Sequence, residues 1–233
     1  MSWVEITREP ARTLLHPPKR YCLYFDGEDD YVEVADDPSL RWGYDPFTIE
    51  LWVNLPEKNN HQGILRKHTL TQGYFNIFFN YVYRQFQVET RSSDTNELIG
   101  CYSFLVEWGT WNQAVFVRED PYLTWFTNGG NPRTFEDTRS GREFNYAEII
   151  LGFERDTWML GSFAILRIYN RALSDSEIQH NYLNPMNPIL DGLVLWLSLE
   201  EGSGTTAHDE SGNGNDGTIH GARWIEVTRL PAR

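Results

Sequence analysis

Phe47-Thr48-Ile49-Glu50-Leu51-Trp52-Val53 is the segment whose pattern indicates the fold class most directly. Every second residue, beginning with Phe47, is large and apolar, and this is the period of a β-strand that buries one face. Glu50 and Trp52 share the opposite face, which we expect to be semi-exposed. A Trp beside an acid on such a face can stack on a sugar ring, although it more often only covers the sheet.

Similar runs of β-branched and aromatic residues recur along the whole chain, separated by clusters of Gly, Asn, Asp and Pro. About a dozen such runs in 233 residues are typical of one sandwich or barrel domain. The clearest predicted strands are Tyr21–Phe25, Tyr31–Val34, Phe47–Val53, Gly63–Lys67, Tyr74–Phe79, Gln85–Thr90, Trp111–Arg118, Tyr122–Thr127, Glu148–Gly152, Gly161–Tyr169 and Leu193–Leu199.

One helix is predicted, near residues 174–183. Ser174-Asp175-Ser176-Glu177 has the spacing of a capping box, in which the Ser and Glu side chains satisfy amides of the first turn. Asn184-Pro185 ends the helix, because a residue before Pro avoids helical geometry. A single short helix among many strands excludes βαβ architecture and predicts an all-β sandwich.

The net charge of the chain is −13, which would repel a phosphate backbone or an anionic bilayer. We therefore expect neither a nucleic-acid partner nor membrane insertion, and the longest apolar run, Leu193–Leu197, is too short to cross a bilayer. The acidity has two explanations, solubility and carboxylates that collect Ca²⁺. Cys22 and Cys101 could form one disulfide or remain buried thiols, so the compartment stays open.

Several segments, in order, resemble the laminin-G-like family of concanavalin A-like jelly rolls. The resemblance is carried by Tyr24–Val34, Phe47–Val53, Trp111–Val117, Trp125–Gly129 and, most specifically, Arg167-Ile168-Tyr169-Asn170-Arg171-Ala172-Leu173-Ser174. It implies an antiparallel β-sandwich. It also implies a recognition role and favours an extracellular surface or a virion, although the start of the chain lacks the pattern of a signal peptide.

The family's usual first segment stands last here, as Gly192–Gly204 followed by Asp209–Thr218. We therefore expect a single, circularly permuted domain, or a frame cut across a repeating array, with an N-terminal arm at 1–20, a main sandwich at 21–190 and the displaced segment at 191–233. We expect the strand at 193–199 to lie beside the strand that contains Tyr24–Gly27, within its own chain or in a neighbour.

An internal repeat accompanies this order. Trp3–Arg12 recurs 221 residues later as Trp224–Arg233, with two Val/Ile exchanges and Glu9 in place of Leu230. So close a match indicates a common origin for the two segments. It also suggests that the termini could join copies of the chain.

Four residues are candidate Ca²⁺ ligands: Asp26, Asp209, Asn213 and Asp216. The last three lie in a Gly-rich loop with oxygen ligands at alternate positions, but such loops also form ordinary tight turns. The resemblance implies a further acidic pair before the Arg167 string, and Ala164 and Ile165 stand there instead.

Aromatic residues near predicted loops are candidate sugar-stacking groups, and the set is Trp52, Tyr81, Tyr83, Trp125 and Trp158. A retaining glycosidase needs two carboxylates about 5–5.5 Å apart in one cleft. No predicted strand carries such a pair, and no zinc helix, Ser elbow or phosphate loop occurs in the sequence. These observations favour a module without catalysis.

Two classes of function follow. The first is a recognition or structural module, a surface or particle component that binds glycans or protein surfaces and can self-assemble as a homo-oligomer. The alternative is a Ca²⁺-dependent, carbohydrate-binding lectin domain without an assembly role. A glycoside hydrolase ranks behind both.

Overall fold

The computed structural model describes residues 21–43, 45–68, 74–91, 98–137, 147–154 and 156–227. Two antiparallel sheets pack face to face as a sandwich, which confirms the predicted fold class. In chain order the strands are β1 (Tyr21–Asp26), β2 (Tyr31–Val34), β3 (Phe47–Asn54), β4 (Gln62–His68), β5 (Tyr74–Asn80), β6 (Gln85–Arg91), β7 (Leu98–Tyr102), β8 (Trp111–Glu119), β9 (Tyr122–Thr127), β10 (Gly130–Glu136), β11 (Ile149–Leu151), β12 (Phe153–Glu154), β13 (Thr157–Trp158), β14 (Leu160–Tyr169), β15 (Leu193–Leu197), β16 (Thr206–Ala207), β17 (Gly217–His220) and β18 (Arg223–Glu226).

The order of the strands in space differs from their order in the sequence in both sheets. Sheet A has the order β10-β9-β8-β3-β14-β1-β18, and β15 also pairs with β14. Sheet B has the order β16-β17-β2-β11-β4-β5-β6-β7, and β12 and β13 form a separate small hairpin. The β1–β2 connection passes from one sheet to the other, so these two consecutive strands belong to different layers.

The core lies between the sheets and follows the predicted alternation. Phe47, Ile49, Leu51 and Val53 of β3 are buried there. Trp42 stacks on Phe47 at 4.4 Å between ring centroids, as part of an aromatic group in the core. Burial of these large rings supplies much of the driving force for folding.

Helix α1 spans Asp175–Leu183, as the capping box predicts. The Ser174 hydroxyl accepts a hydrogen bond from the Glu177 amide, and the Glu177 carboxylate accepts one from the Ser174 amide. Arg171 forms a 2.7 Å ion pair with Glu177, and its hydrogen bonds are the main reason that the pKa of Glu177 falls to about 2. The string at 167–174 therefore fixes the start of the helix.

The expectation that the Trp52 face of β3 is semi-exposed is wrong. Trp52 and Glu50 are 1% and 0% exposed, because α1 covers this outer face of sheet A. The Tyr182 ring of the helix stacks on Trp52 at 5.6 Å with an interplanar angle of 8°. The helix that buries Trp52 lies more than a hundred positions later in the sequence. Alternation within β3 therefore cannot predict this burial.

The displaced C-terminal segment folds back onto its own chain. β15 pairs with the second half of β14, through Leu166↔Leu197 to Tyr169↔Leu193, whereas β1 pairs with the first half, through Leu23↔Phe163 to Asp26↔Leu160. The two strands thus lie end to end along one edge of β14. The strand that pairs with β1 on its other edge is β18, beside Tyr21–Tyr24, and not β15, so that detail of the prediction is wrong.

Cys22 and Cys101 lie in different sheets, on β1 and β7, and both are buried thiols not joined to each other. Burial raises the pKa of the Cys101 thiol to about 12. The predicted arm at 1–20 lies outside the described residues, and the permutation stays a prediction. No helix in the described part of the chain has the length and apolar character needed to span a bilayer.

Candidate functional site

Several of the candidate residues lie at one end of the sandwich, which we call the aromatic end. The strand registers define it: Asp26 pairs with Leu160, Tyr31 with His220, and Gln62 with Phe79. The β1–β2, β3–β4, β5–β6 and β17–β18 connections and the β12–β13 hairpin therefore meet there. Connections carried by rigid strands are common places for recognition residues.

A continuous row of half-buried rings crosses sheet B at this end, and we call it the aromatic row. It consists of the rings of His220, Tyr31, Trp158 and Phe153, and it ends at the guanidinium of Arg66. His220 stacks on Tyr31 at 4.3 Å and 12°, and Tyr31 faces Trp158 at 6.5 Å. Trp158 packs on Phe153 at 4.2 Å, and the Arg66 guanidinium lies 4.7 Å from the Phe153 ring centre. The row runs from β17 to β4.

Strand alternation explains why these residues face outward. Val32 and Val34 of β2 point into the core, so Tyr31 lies on the outer face. In the same way Leu65 lies in the core and its neighbour Arg66 lies outside. Tyr31 and Arg66 are therefore placed by the pleat of their own strands.

The β12–β13 hairpin brings Phe153 and Trp158 over sheet B. It approaches β4 so closely that a Cβ on Gly63 would lie 2.1 Å from the Glu154 amide nitrogen. Beneath it, the buried Asn76 amide donates a 2.8 Å hydrogen bond to the Glu154 carboxylate. This buried contact holds the hairpin, and with it the two central rings of the row, in one position.

Three carboxylates lie beside Tyr31 of the row. Oxygen atoms of Asp26, Asp29 and Asp30 all fall within 4.8 Å of one another. Asp30 is buried and accepts a 2.8 Å hydrogen bond from the Asp26 amide. Burial, with the charges of Asp26 and Asp29 adding to it, raises the pKa of Asp30. A Cβ on Gly221 would lie 2.1 Å from Asp30 Oδ1, so this glycine makes room for the carboxylate.

The chemistry of this acid cluster fits a hard cation, because Ca²⁺ takes carboxylate oxygens and would offset the mutual repulsion of the three groups. Asp26 is the one predicted ligand that the cluster contains. The positions where the family resemblance implied further acids, Ala164 and Ile165, are fully buried apolar sites on the outer face of sheet A. Ca²⁺ binding stays a prediction.

The other predicted ligands belong to a loop that lies away from the aromatic end. Asp209 Oδ1 accepts from the amides of Trp196 and Ser211 at 2.9 Å, and Oδ2 accepts from the Ser211 hydroxyl at 2.8 Å and the Asn215 amide at 3.0 Å. Its oxygens are thus occupied by the turn and by the edge of β15. This favours the tight-turn interpretation of the loop.

The remaining loop residues support the same interpretation. Asp216 accepts a 2.7 Å hydrogen bond from the Asp209 amide, and Asn213 donates to the Leu193 carbonyl and the Ser211 hydroxyl. Within the described residues, the three side chains that lie close enough together to hold a metal are Asp26, Asp29 and Asp30. Asp209 and Asp216 do not belong to this group. The structure therefore does not bring the four predicted ligands together.

The predicted sugar-stacking residues divide into two groups. Trp52 and Trp125 are 1% and 0% exposed, so neither offers a ring face to a ligand. Tyr81, Tyr83 and Trp158 lie at the aromatic end: Tyr83 is 61% exposed, and Tyr81 packs its edge against His61. Trp158 alone belongs to the aromatic row.

A buried polar network under α1 is a feature that the sequence analysis missed. Glu50 Oε1 accepts from Trp52 Nε1 at 3.1 Å, Gln113 Nε2 at 2.8 Å and Arg167 Nη1 at 3.1 Å, and Oε2 accepts from Asn181 Nδ2 at 2.8 Å. Both charged side chains of the ion pair are at most 1% exposed. Because the network lies under a helix and away from solvent, we assign it a structural role.

The other members of the aromatic row were also missed. Tyr31, His220, Phe153 and Arg66 come from four separate parts of the sequence. Alternation could have placed Tyr31 and Arg66 on an outer face. Only the strand order β17-β2-β11-β4 shows that these outward positions are neighbours.

The architecture is that of a concanavalin A-like β-sandwich. The laminin-G-like profile of the concanavalin A-like lectin/glucanases superfamily matches residues 26–179, and the chain belongs to this family. A search among curated proteins finds no match to the sequence.

Three solved structures illustrate the similarity. A proposed carbohydrate-binding protein from Bacteroides ovatus has a TM-score of 0.69 and 13% identity, covering 93% of this chain and 63% of that protein. A heptameric SAP-like pentraxin from Limulus polyphemus has a TM-score of 0.60 and 15% identity, covering 91% of this chain and 96% of that chain. Domain 4 of an extracellular arabinanase from Geobacillus stearothermophilus, in complex with arabinotriose, has a TM-score of 0.52 and 16% identity. The match covers 64% of this chain and 70% of that chain.

At these identities the structural comparisons establish a shared fold. The chain spans less than two thirds of the Bacteroides ovatus protein. Several of the similar structures are binding domains, and the arabinanase domain shows that the fold also occurs within glycoside hydrolases.

Proposed function

We propose that this chain is a non-catalytic glycan-binding module and that the aromatic row is its binding surface. The observation that carries the proposal is the continuity of the row. Four half-buried rings and one guanidinium follow one another on an outer sheet face, each packed beside the next. Aromatic rings present flat apolar faces that suit the C–H faces of sugar rings. The arabinotriose complex of the similar arabinanase domain and the carbohydrate-binding role proposed for the Bacteroides ovatus protein support the same assignment.

The neighbouring charges favour neutral oligosaccharides. Asp30 directly precedes Tyr31, and its cluster with Asp26 and Asp29 places negative charge beside the row in a chain of net charge −13. Carboxylates accept hydrogen bonds from sugar hydroxyls, and Arg66 can donate to ring and hydroxyl oxygens. An anionic glycan would meet repulsion at this end.

Binding to a glycan array, followed by calorimetry on the best neutral ligand, tests the proposal. We expect Trp158→Ala to weaken binding by about fivefold, since an aromatic contact contributes roughly 1 kcal/mol. Trp158→Phe should retain much of the affinity. Tyr83→Ala is the matched control, because Tyr83 is exposed at the same end but outside the row.

Equal circular dichroism spectra and melting temperatures would show that each variant keeps its fold. If Trp158→Ala leaves the affinity unchanged while Tyr83→Ala abolishes it, the binding surface is elsewhere. Turnover of the glycan, abolished by a single Asp or Glu substitution, would contradict the non-catalytic assignment.

Assembly is a second function, favoured by one observation. Within the described part of the chain, β18 lies at an edge of sheet A, and an edge strand offers backbone groups to another strand. A homo-oligomer or a surface or particle component built through the termini is therefore compatible with the glycan-binding role. Sedimentation of the full chain over a range of concentrations tests it.

A further inference from the structure

A second surface lies where the edges of the two sheets meet. Within the described part of the chain, β7 is an edge strand of sheet B and β10 is an edge strand of sheet A. The centres of the Tyr102 ring of β7 and the Phe135 ring of β10 are 5.1 Å apart, so side chains of the two edge strands meet across the opening between the layers. We call the surface formed by Tyr102, Phe104, Arg133 and Phe135 the seam.

Arg133 lies at the centre of the seam. Its guanidinium carbon is 3.9 Å from the centre of the Tyr102 ring, 5.5 Å from that of Phe104 and 5.6 Å from that of Phe135. Contacts of this kind hold a cation in place, but a ring face is a poor acceptor for the five N–H donors of a guanidinium. The rings therefore fix the position of the charge without satisfying its hydrogen bonds.

The position of Arg133 on its strand is unusual for a charged residue. Arg133 pairs with Trp125 of β9, and Phe135 pairs with Leu123. Both partners belong to the core, and residues directly opposite each other on paired strands share a face of the sheet. Arg133 therefore lies on the core-facing side of β10, where it is half-buried.

The described residues offer Arg133 no anion. Its guanidinium forms no hydrogen bond or ion pair within the described ranges, whereas those of Arg118 and Arg167 each pair with a carboxylate at 3.1 Å. Taking a cation partly out of water is costly unless an anion compensates it. A ligand carboxylate would offset this cost, because its two oxygens match the planar guanidinium with two parallel hydrogen bonds.

Exposed apolar side chains flank the cation. Phe104 is 44% exposed, and the next residue, Leu105, is 60% exposed. The Val106 amide donates a 2.8 Å hydrogen bond to the Arg84 carbonyl, which brings this segment beside the β5–β6 turn, where Val82 is 59% exposed. Single exposed apolar residues are ordinary, but several at one corner are typical of a protein-binding surface.

The edge of β10 is poorly suited to bind a partner as an added strand. Pro132 has no amide hydrogen, and the register of β10 against β9 shifts between Gly130 and Arg133. Both features discourage strand pairing, so the edge is protected without the inward charge of Arg133. A partner at the seam is therefore recognised through its side chains.

We propose that the seam binds a peptide segment of a partner protein in which a carboxylate side chain is flanked by apolar residues. The carboxylate accepts two hydrogen bonds from Arg133, and the apolar residues pack on Phe104 and Leu105. An arginine held by aromatic rings is the composition expected at the centre of a protein interface. The site is separate from the aromatic row and adds a partner of another class to the glycan-binding role.

Two features narrow the choice of partner. An acidic sugar also carries a carboxylate, but its hydroxyl groups would face Phe104 and Leu105, whose side chains offer no hydrogen bond. This favours a peptide. The net charge of −13 disfavours the approach of a long acidic run, so the segment carries one or two carboxylates among apolar residues.

Selection from a displayed library of random short peptides on the full chain tests the proposal, with counter-selection on Arg133→Gln. We expect the enriched peptides to place Asp or Glu between apolar residues. For a synthetic copy of one of them, fluorescence anisotropy should show affinity about tenfold or more weaker for Arg133→Gln, because charged hydrogen bonds are lost. Arg133→Lys should lose most of the affinity as well, since an ammonium cannot bind both oxygens in parallel. Arg84→Gln is the matched control, because it removes an exposed cation at the same corner, and its effect should be about twofold.

A surface variant keeps the test independent of folding. Leu105→Ser changes an exposed side chain and should weaken peptide binding by about fivefold. Leu190→Ser, at a side chain that is 69% exposed on the segment after α1, should leave it unchanged. Equal melting temperatures would show that each variant keeps its fold.

Three results would overturn the proposal. The first is a library in which no peptide is enriched on the native chain over Arg133→Gln. The second is an equal loss of affinity in Arg84→Gln and Arg133→Gln, which would show general attraction between charges. The third is tighter, Arg133-dependent binding of a galacturonate trisaccharide, which would assign the seam to acidic glycans.

Discussion

Replacement of Glu50 by Ala should be among the most damaging single changes in the chain. Glu50 and Arg167 form a 3.1 Å ion pair in which neither side chain is more than 1% exposed. Removing one partner of such a pair leaves a buried charge without compensation, at about 3–5 kcal/mol. Trp52, Gln113 and Asn181 also lose their acceptor, each adding up to about 1 kcal/mol, although such losses are not additive.

The expected loss for Glu50→Ala is therefore about 4–6 kcal/mol, against a total stability of about 5–15 kcal/mol for a domain. Urea unfolding followed by Trp fluorescence measures it. Glu50→Gln keeps the shape and one acceptor oxygen, so it should cost less, about 2–3 kcal/mol. It also provides a folded variant if Glu50→Ala does not fold.

The double variant Glu50→Met with Arg167→Met separates charge from packing. Because removal of both partners leaves no unpaired charge, we expect it to be more stable than Glu50→Ala by at least about 2 kcal/mol. If the free energy of unfolding of Glu50→Ala lies within about 1 kcal/mol of that of the native chain, the network does not stabilise this face of the sheet as argued.

Three further outcomes are expected. Lys67 is 2% exposed, and burial lowers its pKa to about 8, so between pH 8 and 10.5 the unfolded chain holds a proton that the folded chain has released. The free energy of unfolding, measured in urea relative to Lys67→Met, should therefore rise by about 3 kcal/mol from pH 8 to pH 10.5. A difference that does not change with pH would contradict the burial argument. Millimolar Ca²⁺ should raise the melting temperature, EDTA should reverse the effect and Asp29→Asn should abolish it, whereas an unchanged melting temperature would remove Ca²⁺ from the account. Deletion of residues 191–233 removes β15 and β18 and uncovers the edges of β14 and β1, so the product should aggregate; a soluble, monomeric and equally heat-stable product would show that the segment is an appendage.

Local pattern determined the fold class and most strand positions. Alternation in 47–53 identified a strand with a buried face, and β3 is found at Phe47–Asn54. The capping box predicted α1 because its hydrogen bonds join residues three positions apart. Such features depend on neighbours along the chain, and the sequence states those neighbours directly.

Tertiary structure decided which faces are covered and which residues meet. Nothing near Trp52 in the sequence indicates that Tyr182 will stack on it, and the contact that buries it spans 130 positions. In the same way, the alternation of β2 and β17 gives an outward direction to Tyr31 and His220, but only strand order makes them a stacked pair. The aromatic row exists because strands remote in sequence are adjacent in sheet B, and adjacency of that kind is a property of the folded chain alone.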